Sequence, residues 1–432
     1  MKLVVEGSEL RGRVWIPGSK SHTIRSVALA ALAEGDSEVL SPLVSADTLS
    51  AASSYQALGA QVDTADPRRW LVTGVGGEVA APADVVDVGN SGTSLRFALG
   101  SGALLGEGMA VFTGDEQIRS RPCGPLVRSL NDLGARCWST RGNGRAPLVV
   151  EGRLRGGKTT MEAVSSQYLS SLLINAPLAG GDSEIVLTKL NERPYVEMTL
   201  GYLDSQGVEY ENDGWRRFLL RGGQGYSGFS RRVPGDWSSA AFFLVAGAVL
   251  DGDVEIMGLD VNDVQGDKAV VEMLRAMGAW VEVVDGVVLV RRSELRGVEL
   301  DLNATPDALP ALAVAGCFAS GETRLVNVPQ ARLKETDRIA VMAAELKKMG
   351  AELEELEDGL VVRGGRGLQG AQVNGHGDHR VVMALSVAGM GATGRTVIDT
   401  AEAVRVTFPE YVSLMRGLGG RLEAWAEADG SK

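Results

Sequence analysis

The chain has 432 residues, of which 44% are hydrophobic and 23% charged, and its formal net charge is -12. This composition excludes a disordered chain, and the length exceeds what one ordinary hydrophobic core supports, so we expect two domains. The acidic balance argues against a nucleic-acid partner, because no basic face offsets it.

The cysteines and the first residues indicate the expected compartment. Cys123, Cys137 and Cys317 are scattered and odd in number, without the spacing of a disulfide framework or a metal site, so a reducing environment is expected. Residues 1–16 lack the basic segment and apolar run of a signal peptide, and no uncharged apolar stretch has the length of a membrane span. We therefore predict a cytoplasmic protein without a metal.

The first predicted helix begins with a group of cations. A Pro-Gly turn and a potential cap, Ser19, precede an Ala- and Leu-rich run, which predicts a helix with Lys20, Ser21 and Arg25 in its first turns. Unpaired N–H groups and the positive end of the helix dipole favour anions there. The stretch is typical of a phosphate or carboxylate site, and a solvated basic helix start is the alternative.

Glycines mark an internal repeat along the chain. A glycine that ends an apolar helix before a strand recurs at positions 59, 134, 207, 278, 350 and 419, which are 69 to 75 residues apart. A second glycine closes another apolar helix once in each period. The pattern predicts six copies of a strand–helix–strand–helix–strand–strand unit, βαβαββ.

Two Pro-Gly turns divide the repeats into halves. The first precedes copy one at residues 17–18, and the second lies between copies three and four at residues 234–235. We expect one domain over 19–230 and a second, discontinuous domain made of 1–16 and 235–432, with crossings near 16–19 and 230–235. A single solenoid is less favoured, because the terminal copies show no polar caps.

The first helix of each copy starts with small polar or charged residues. These starts are Lys20-Ser21, Asn90-Ser91-Gly92-Thr93, Ser165-Ser166-Gln167, Asp236-Trp237-Ser238-Ser239, Pro306-Asp307 and Asp378-His379-Arg380. Symmetric copies would bring three starts together in each domain, and facing domains would place up to six helix N-termini around one cleft. Such a cleft is expected to bind anions.

Several motifs together carry a family resemblance. They are Gly18-Ser19-Lys20-Ser21 with Arg25, Gly89 to Arg96, Ser120-Arg121-Pro122, Lys334-Glu335-Thr336-Asp337-Arg338, Asp378-His379-Arg380 and Thr407-Phe408-Pro409. In this order, over nearly the whole chain, the set resembles the enolpyruvyl transferases, most closely the EPSP synthases. The resemblance implies an α/β fold, a two-domain inside-out barrel of six βαβαββ repeats, with the active site in the interdomain cleft.

The resemblance also implies a reaction. The enolpyruvyl group of phosphoenolpyruvate would move to the 5-hydroxyl of shikimate 3-phosphate, giving 5-enolpyruvylshikimate 3-phosphate and phosphate on the pathway to chorismate and the aromatic amino acids. No metal or organic cofactor is implied. We expect a monomer, because the cleft needs only one chain.

Four residues match the family's catalytic groups. Lys20 matches the lysine that contacts phosphoenolpyruvate and can deliver a proton, and Asp307 matches the carboxylate that takes the 5-hydroxyl proton. Glu335 is the second acid–base candidate, facing the enol carbon, and His379 has a supporting role, orienting Glu335 or Arg380. The alternatives are a helix cap for Asp307 and a solvated Lys–Glu pair for Glu335 and its neighbour.

The remaining matches concern substrate binding. The residues implied for shikimate 3-phosphate are Lys20, Ser21, Arg25, Ser165, Ser166, Gln167, Asp307 and Lys334. Those implied for phosphoenolpyruvate are Lys20, Asn90, Gly92, Arg121, Gln167, Arg338 and Arg380, where the last two grip its carboxylate. As alternatives, Arg25 would form a helix-surface ion pair, the two serines would only cap a helix, and Tyr195 would be a core residue rather than a neighbour of the 3-phosphate.

Two positions depart from the family pattern. The family usually has a phosphoenolpyruvate-binding lysine where this chain has Val406, so either Arg405 replaces it or one cation is absent. The family also tends to have a serine that holds the 3-phosphate where this chain has Glu192, and a glutamate there would repel phosphate unless it points away.

Three other functions remain as alternatives. A UDP-N-acetylglucosamine enolpyruvyl transferase would have Lys-Asn at Lys20-Ser21 and a reactive cysteine ahead of its Arg-Pro, whereas Cys123 follows Arg121-Pro122 and is interpreted as a buried small hydrophobe. An RNA 3'-phosphate cyclase is disfavoured by the acidic balance and by the 334–338 motif. A non-catalytic binding array would not need carboxylates at Asp307 and Glu335.

Overall fold

The computed structural model describes residues 1–425 and divides into two compact units. Unit 1 comprises Met1–Pro17 with Gly235–Lys432, and unit 2 comprises Gly18–Pro234. The N-terminal segment forms two strands that pair within unit 1, β1 (Lys2–Glu6) and β2 (Leu10–Trp15).

Unit 2 alternates helices and strands. Its helices are α1 (Lys20–Leu32), α2 (Ala46–Ala57), α3 (Gly92–Gly102), α4 (Glu116–Ser120), α5 (Gly124–Asp132), α6 (Ser166–Asn175) and α7 (Arg193–Ser205), with a 3-10 turn at Ala176–Leu178. Its strands are β3 (Asp36–Leu40), β4 (Gln61–Asp66), β5 (Arg69–Thr73), β6 (Val86–Asp87), β7 (Leu104–Thr113), β8 (Arg136–Ser139), β9 (Leu148–Arg153), β10 (Gly157–Ala163), β11 (Ser183–Leu190), β12 (Tyr210–Asp213), β13 (Arg217–Leu220) and β14 (Ser230–Arg232).

Unit 1 follows the same alternation. Its helices are α8 (Trp237–Val249), α9 (Val270–Ala276), α10 (Leu309–Phe318), α11 (Arg338–Lys348), α12 (His379–Met390), α13 (Val404–Thr407) and α14 (Tyr411–Gly417). Short 3-10 turns lie at Gly266–Ala269, Pro306–Ala308, Pro329–Leu333 and Ala401–Ala403. Its further strands are β15 (Gly252–Met257), β16 (Trp280–Val284), β17 (Val287–Arg291), β18 (Glu299–Asp301), β19 (Glu322–Val326), β20 (Glu352–Leu356), β21 (Gly359–Arg363), β22 (Gln372–Asn374), β23 (Arg395–Asp399) and β24 (Arg421–Trp425).

The described strands form six four-stranded sheets of one topology. The orders are β14-β3-β5-β4, β6-β7-β9-β8 and β10-β11-β13-β12 in unit 2, and β2-β15-β17-β16, β18-β19-β21-β20 and β22-β23-β1-β24 in unit 1. In each sheet the first two strands are parallel and the other neighbours are antiparallel, as in Val14 opposite Ile256 between β2 and β15. The α/β fold with six βαβαββ repeats is therefore confirmed.

Three strands complete copies that are distant in the sequence. β14, at the end of unit 2, pairs with β3 of the first copy, and β2 pairs with β15 of the fourth. β1 lies between β23 and β24 of the last copy. In each unit, the set of three sheets is therefore completed by a strand whose sheet partners lie far away in the sequence.

Buried helices form the core of each unit. In unit 2, α3 packs against α1 and α6, and in unit 1, α10 packs against α8 and α12. These helices are apolar or small around most of their circumference, which is typical of a helix without a solvent face. At Gly100 of α3 a side chain would lie 2.3 Å from Ser171 Oγ, so glycine is needed for the close approach of α6. The first turns of these helices carry most of the candidate site residues.

The repeating glycines end the other helix of each copy. Gly59, Gly134, Gly207, Gly278, Gly350 and Gly419 all have positive φ, between 69° and 106°. Each follows the last residues of a helix, where a left-handed residue satisfies the terminal carbonyls and turns the chain into a strand. This confirms the helix ends predicted from the glycine period.

Candidate active site

Lys20 begins α1 and is paired with a carboxylate. The Oγ of Ser19 accepts a hydrogen bond from the backbone N of His22, which caps the helix as the sequence predicts. The Lys20 Nζ lies 3.0 Å from Oδ2 of Asp47, and Asp47 is buried at the start of α2. The first turn of α1 therefore places Lys20, with Ser21 next to it in the chain, beside a buried acid.

Arg25 is buried one turn further along α1. Its Nε donates to Thr199 Oγ1 at 2.9 Å, and its Nη2 donates to the carbonyl of Tyr195 at 2.9 Å and to Ser170 Oγ at 3.3 Å. Burial lowers the pKa of Arg25 to about 10, and nearby groups that include Glu192 act in the opposite direction. The alternative of a helix-surface ion pair is wrong, because the side chain is only 1% exposed and bonds hydroxyls and carbonyls.

Two guanidinium groups converge on the first turn of α3. An added Cβ at Gly92 would lie 2.6 Å from Nη1 of both Arg96 and Arg121. Arg96 Nη1 donates to Gln167 Oε1 at 2.7 Å, and Gln167 Nε2 donates to Thr93 Oγ1 at 3.0 Å. The starts of α3 and α6 are thus linked through Gln167, next to two buried cations.

The loop before α3 is held by Asn90. Its Nδ2 donates to Asp115 Oδ2 at 2.6 Å and to Gln117 Oε1 at 2.7 Å. The Asp115 side chain also caps α4 by accepting from the backbone N of Ile118. Asn90 therefore fixes the turn that leads into Gly92.

The start of α6 is occupied by a glutamate. Ser165 is the N-cap of α6, and Ser166 Oγ donates to Glu192 Oε2 at 2.7 Å, as does Ser166 N at 3.2 Å. Glu192 is 1% exposed and left-handed, with φ of 57°, immediately before α7. The carboxylate points at Ser166, one of the residues predicted to bind the phosphate. Glu192 therefore does not point away from the predicted phosphate site. We refer to the residues at the starts of α1, α3 and α6, with Arg25, Arg96, Arg121 and Glu192, as the first cluster.

A second cluster lies in unit 1 around Arg338, the first residue of α11. Its Nη1 donates to Asp307 Oδ1 at 2.7 Å, its Nη2 to Glu335 Oε2 at 2.5 Å, and its Nε to Asp378 Oδ2 at 2.8 Å. Arg338 is 1% exposed and Asp378 is fully buried. One guanidinium group therefore holds three carboxylates from different parts of unit 1.

Arg380 completes the second cluster. It lies in the first turn of α12, where its Nη2 is 3.1 Å from Asp307 Oδ2. Burial by itself would raise the pKa of Asp307, but Arg380, Lys334 and Arg338 together hold that pKa well below its usual range. Asp307 is therefore ionised at neutral pH.

His379 and Lys334 border the second cluster. His379 is 2% exposed at the first position of α12, and its Nδ1 lies 3.9 Å from Asp378 Oδ1. Lys334 is half-buried after the Pro329–Leu333 turn and contributes to the low pKa of Asp307. The alternative of a solvated Lys–Glu pair is wrong for Glu335, whose side chain is 10% exposed and bonded to Arg338.

The segment with the missing family lysine forms the short helix α13. Arg405 is exposed and contributes to a lowered pKa of Glu402. Val406 is half-buried and Thr407 is buried. Whether Arg405 replaces the lysine stays a prediction.

The structure groups most predicted site residues and adds two acids that sequence reasoning had not assigned. Asp47 carries no sequence signal, since only the fold shows which acid faces Lys20. The sequence places Asp378 at a helix start and in a family motif without a role of its own; in the structure it caps α12 by accepting from Arg380 N while also bonding Arg338. A buried arginine is commonly paired with carboxylates, and the nearby acids of the motifs are the one signal that could have suggested such a role for Asp378.

Residues 1–425 contain neither a metal-binding group nor a membrane-spanning helix. Histidine, cysteine, aspartate and glutamate side chains in this part of the chain form no group of three suited to a metal ion. No helix within it combines the length and apolarity needed to cross a membrane. The three cysteines are buried and unbridged.

Comparison with known proteins gives consistent matches over almost the full chain. The family model for EPSP synthase (3-phosphoshikimate 1-carboxyvinyltransferase) matches residues 4–415. The chain is 55% identical over 419 residues to a 3-phosphoshikimate 1-carboxyvinyltransferase of Acetivibrio thermocellus, which covers 97% of this chain and 98% of that protein. It is 45% identical over 429 residues to the protein of that name from Halobacterium salinarum, covering 97% and 99%.

A solved structure is similar as well. The EPSP synthase from Acinetobacter baumannii superimposes with a TM-score of 0.82 at 29% sequence identity, covering 98% of this chain and 99% of that chain. The similarity in fold therefore extends over both units.

Proposed function

The chain belongs to the EPSP synthase family, and we propose that its two clusters carry out this family's reaction on shikimate 3-phosphate and phosphoenolpyruvate. The enzyme transfers the enolpyruvyl group of phosphoenolpyruvate to the 5-hydroxyl of shikimate 3-phosphate and releases phosphate, a step of the shikimate pathway. The observation that carries the assignment is the 55% identity to a named relative over 97% of the chain.

The first cluster suits the anionic groups of both substrates. We assign Ser21 and Arg25 to the carboxylate of the acceptor, shikimate 3-phosphate. Its phosphate and ring are assigned to the residues at the start of α6, which are Ser165, Ser166 and Gln167. Arg25 supports this assignment because its buried charge is bonded to neutral acceptors and attracts an anion. The N-termini of the helices in this cluster provide further backbone N–H groups that can donate to an anion.

The donor phosphate is assigned to the cations near α3. Arg121 lies beside Gly92, and Lys20 begins α1, so each presents positive charge at the start of a helix. Gly92 leaves room for the donor to approach the backbone, and Asn90 holds that turn in place. Phosphate recognition by such groups rests on charge-assisted hydrogen bonds.

The second cluster suits the proton transfers and the donor carboxylate. The reaction needs a proton added to the enol carbon, a proton removed from the 5-hydroxyl, and stabilisation of a crowded ketal intermediate. Asp307 is the proposed base for the hydroxyl and Glu335 the proposed acid–base group at the enol carbon, with Lys20 able to deliver a proton. Lys334 contacts the ring of the acceptor, and His379 has a supporting role, orienting Glu335 or Arg380.

Arg338 and Arg380 link donor binding to base strength. Both bond Asp307 and keep its pKa low, which makes Asp307 a weak base while they do so. A donor carboxylate that engages Arg380 takes part of that positive charge from Asp307. Asp307 then becomes a stronger base only after phosphoenolpyruvate has bound. This order disfavours removal of the hydroxyl proton before the donor is present.

The assignment is tested by a substrate-pair assay. Phosphate release from phosphoenolpyruvate is measured with shikimate 3-phosphate, with UDP-N-acetylglucosamine, and with no acceptor. We expect release only with shikimate 3-phosphate. Release with UDP-N-acetylglucosamine and none with shikimate 3-phosphate would move the chain to the other acceptor.

We further propose a cytoplasmic monomer. Three free, buried cysteines are compatible with a reducing compartment, and both clusters are built from one chain. Light scattering of the purified protein across a concentration series, and fractionation of cells that express it, test the two statements. A concentration-dependent mass above that of one chain, or recovery outside the cytoplasmic fraction, contradicts them.

A further inference from the structure

A carboxylate already occupies the donors proposed for the acceptor's phosphate. Glu192 Oε2 accepts from both Ser166 Oγ and Ser166 N, at 2.7 and 3.2 Å. Ser166 is the first residue of α6, whose N-terminal N–H groups attract negative charge. A serine hydroxyl has one hydrogen, so Ser166 cannot donate it to Glu192 and to a phosphate at the same time.

The backbone keeps this carboxylate in place. Glu192 is left-handed at φ 57° and ψ 42°, a conformation that costs free energy for a residue with a side chain. Pro194 follows within the first turn of α7 and restricts the chain there. With 1% exposure, the side chain is enclosed and cannot turn into solvent by a simple rotamer change.

The charged and titratable groups around Glu192 come from four helices. Arg25 of α1 and Arg96 of α3 interact with it favourably, and Tyr168 of α6 is a neutral neighbour. On its own helix, Arg193 is exposed and paired with Glu197. Against a phosphate dianion, an ionised Glu192 is therefore a like charge that shares the phosphate's own donors.

This inference rests on the proposed acceptor site: we propose that Glu192 is a further acceptor-binding residue of this chain, which takes up one proton when shikimate 3-phosphate binds and shares it with the phosphate. Two acidic groups in contact commonly hold one proton between them, because both cannot ionise at short distance. A protonated Glu192 keeps an acceptor for Ser166 and donates to a phosphate oxygen. The acceptor then binds more tightly as the pH falls.

Calorimetry counts the proton directly. Titration of shikimate 3-phosphate into the full chain at pH 7.5, in buffers of different ionisation enthalpy, gives the number of protons taken up. The free phosphate, with a second pKa of about 6, is almost fully ionised at that pH and has almost no proton to release. We expect uptake close to one proton, and a Kd that rises by up to about tenfold per pH unit above neutrality.

Glu192→Gln resembles the protonated side chain and isolates its contribution. We expect this variant to take up almost no proton, to bind the acceptor more tightly with a Kd that depends little on pH, and to show a lower KM for the acceptor. Glu197→Gln removes an exposed carboxylate from the same helix and serves as the matched control, with proton uptake and KM as in the wild type. Glu192→Ser, the family's usual residue, is a second variant if the first does not fold, and the same results are expected.

The outcomes separate this inference from the proposed function. Binding of the acceptor with equal proton uptake in the wild type and in Glu192→Gln overturns the inference and leaves the function standing. Absence of proton uptake by the wild type overturns it without any variant. No binding or turnover of shikimate 3-phosphate in the wild type overturns the proposed site, and the inference with it.

Discussion

At the scale of single residues, Glu192 illustrates how magnitudes decide between two states. Two unit charges 4 Å apart at an effective dielectric constant of 20 repel by about 4 kcal/mol, so a dianion would be repelled by about 8 kcal/mol. Adding a proton to an ordinary glutamate at pH 7 costs about 4 kcal/mol. Protonation is the less costly response, because Glu192 is buried and bonded to Ser166 and cannot move away freely.

Gly92 gives the first prediction at this scale. A methyl group there would lie 2.6 Å from Nη1 of Arg96 and of Arg121, so Gly92→Ala should displace at least one guanidinium group from the proposed donor phosphate. We expect the KM for phosphoenolpyruvate to rise by roughly tenfold to a hundredfold, because small displacements of binding groups have large kinetic effects. Steady-state kinetics with each substrate varied in turn measures the change.

Gly201 provides the matched control for that substitution. It lies in α7 with open space around its potential Cβ, so Gly201→Ala should leave both KM values unchanged and slightly favour the helix. An unchanged KM for phosphoenolpyruvate in Gly92→Ala would show that the donor does not contact this turn.

The proposed proton-transfer groups give a second prediction. Glu335→Gln and Lys20→Met should each lower kcat by about a hundredfold to ten-thousandfold, the usual contribution of a positioned acid or base. Circular dichroism and thermal unfolding should show that both variants fold. Glu354→Gln, at an exposed position of β20, is the control and should keep full activity. If a variant folds and retains the wild-type kcat, the residue that it replaces is not catalytic.

At the scale of secondary-structure elements, Arg338 connects the beginnings of several elements of unit 1. It is the first residue of α11, and its partner Asp378 caps α12. Its other partner Asp307 lies in the 3-10 turn before α10. One buried arginine thus sets the relative positions of the segments that carry the second cluster.

Removing this arginine should destabilise unit 1 strongly. Arg338→Met leaves Asp307, Glu335 and Asp378 without their shared cation, and breaking a buried ion pair typically costs about 3–5 kcal/mol. Urea denaturation measures the free energy of unfolding. The control Arg324→Ala breaks two exposed ion pairs and should change that free energy by no more than about 1 kcal/mol. Equal effects of the two substitutions would contradict a central role for Arg338.

The same ion pairs predict a dependence of stability on acid pH. The pKa of Asp307 is lowered by folding, so its contribution is fully present above the ordinary aspartate value of about 3.9 and is lost as the pH falls below it. Asp307→Asn should be less stable than the wild type at pH 6, and the difference should shrink as the pH falls from about 4.5 toward 3.

Urea midpoints at a series of pH values test this sign. Asp251→Asn, which breaks an exposed pair with Arg292, is the control and should follow the wild type across the series. A difference between Asp307→Asn and the wild type that grows on acidification would contradict the direction of the pKa shift.

At the scale of the whole molecule, each unit is closed by strands from distant segments. β1 and β2 pair in sheets whose other strands follow residue 251, and β14 pairs with β3 across some 190 residues of sequence. Folding of either unit therefore requires both ends of a long segment. We expect both units to be affected when one crossing is cut.

Ligand linkage gives a prediction at this scale. Shikimate 3-phosphate at a hundred times its Kd should stabilise the folded protein by about 2.7 kcal/mol and raise its Tm. The shift should be larger at pH 6.5 than at pH 8.5 if Glu192 takes up a proton. Differential scanning fluorimetry with shikimate at the same concentration is the control, since it lacks the phosphate. Equal Tm shifts with both compounds would show that the phosphate does not contribute to recognition of the acceptor.

Several features could be obtained from the sequence because they depend on neighbouring residues. The glycine period fixed the helix ends, since a left-handed C-terminal residue is a local requirement. Ser19 and Ser165 cap their helices through contacts within three residues. The ordered motifs gave the family, and with it the reaction.

Only the tertiary structure decided which charges meet. Lys20 bonds Asp47, Arg338 bonds Asp378, and Ser166 donates to Glu192. The two residues of each pair are 26 to 40 positions apart in the sequence. A sequence states which side chains are charged, but ion pairing depends on distances of a few ångströms that packing alone sets. The family resemblance therefore indicated the reaction, and the fold decided which charged and polar groups are bonded to one another.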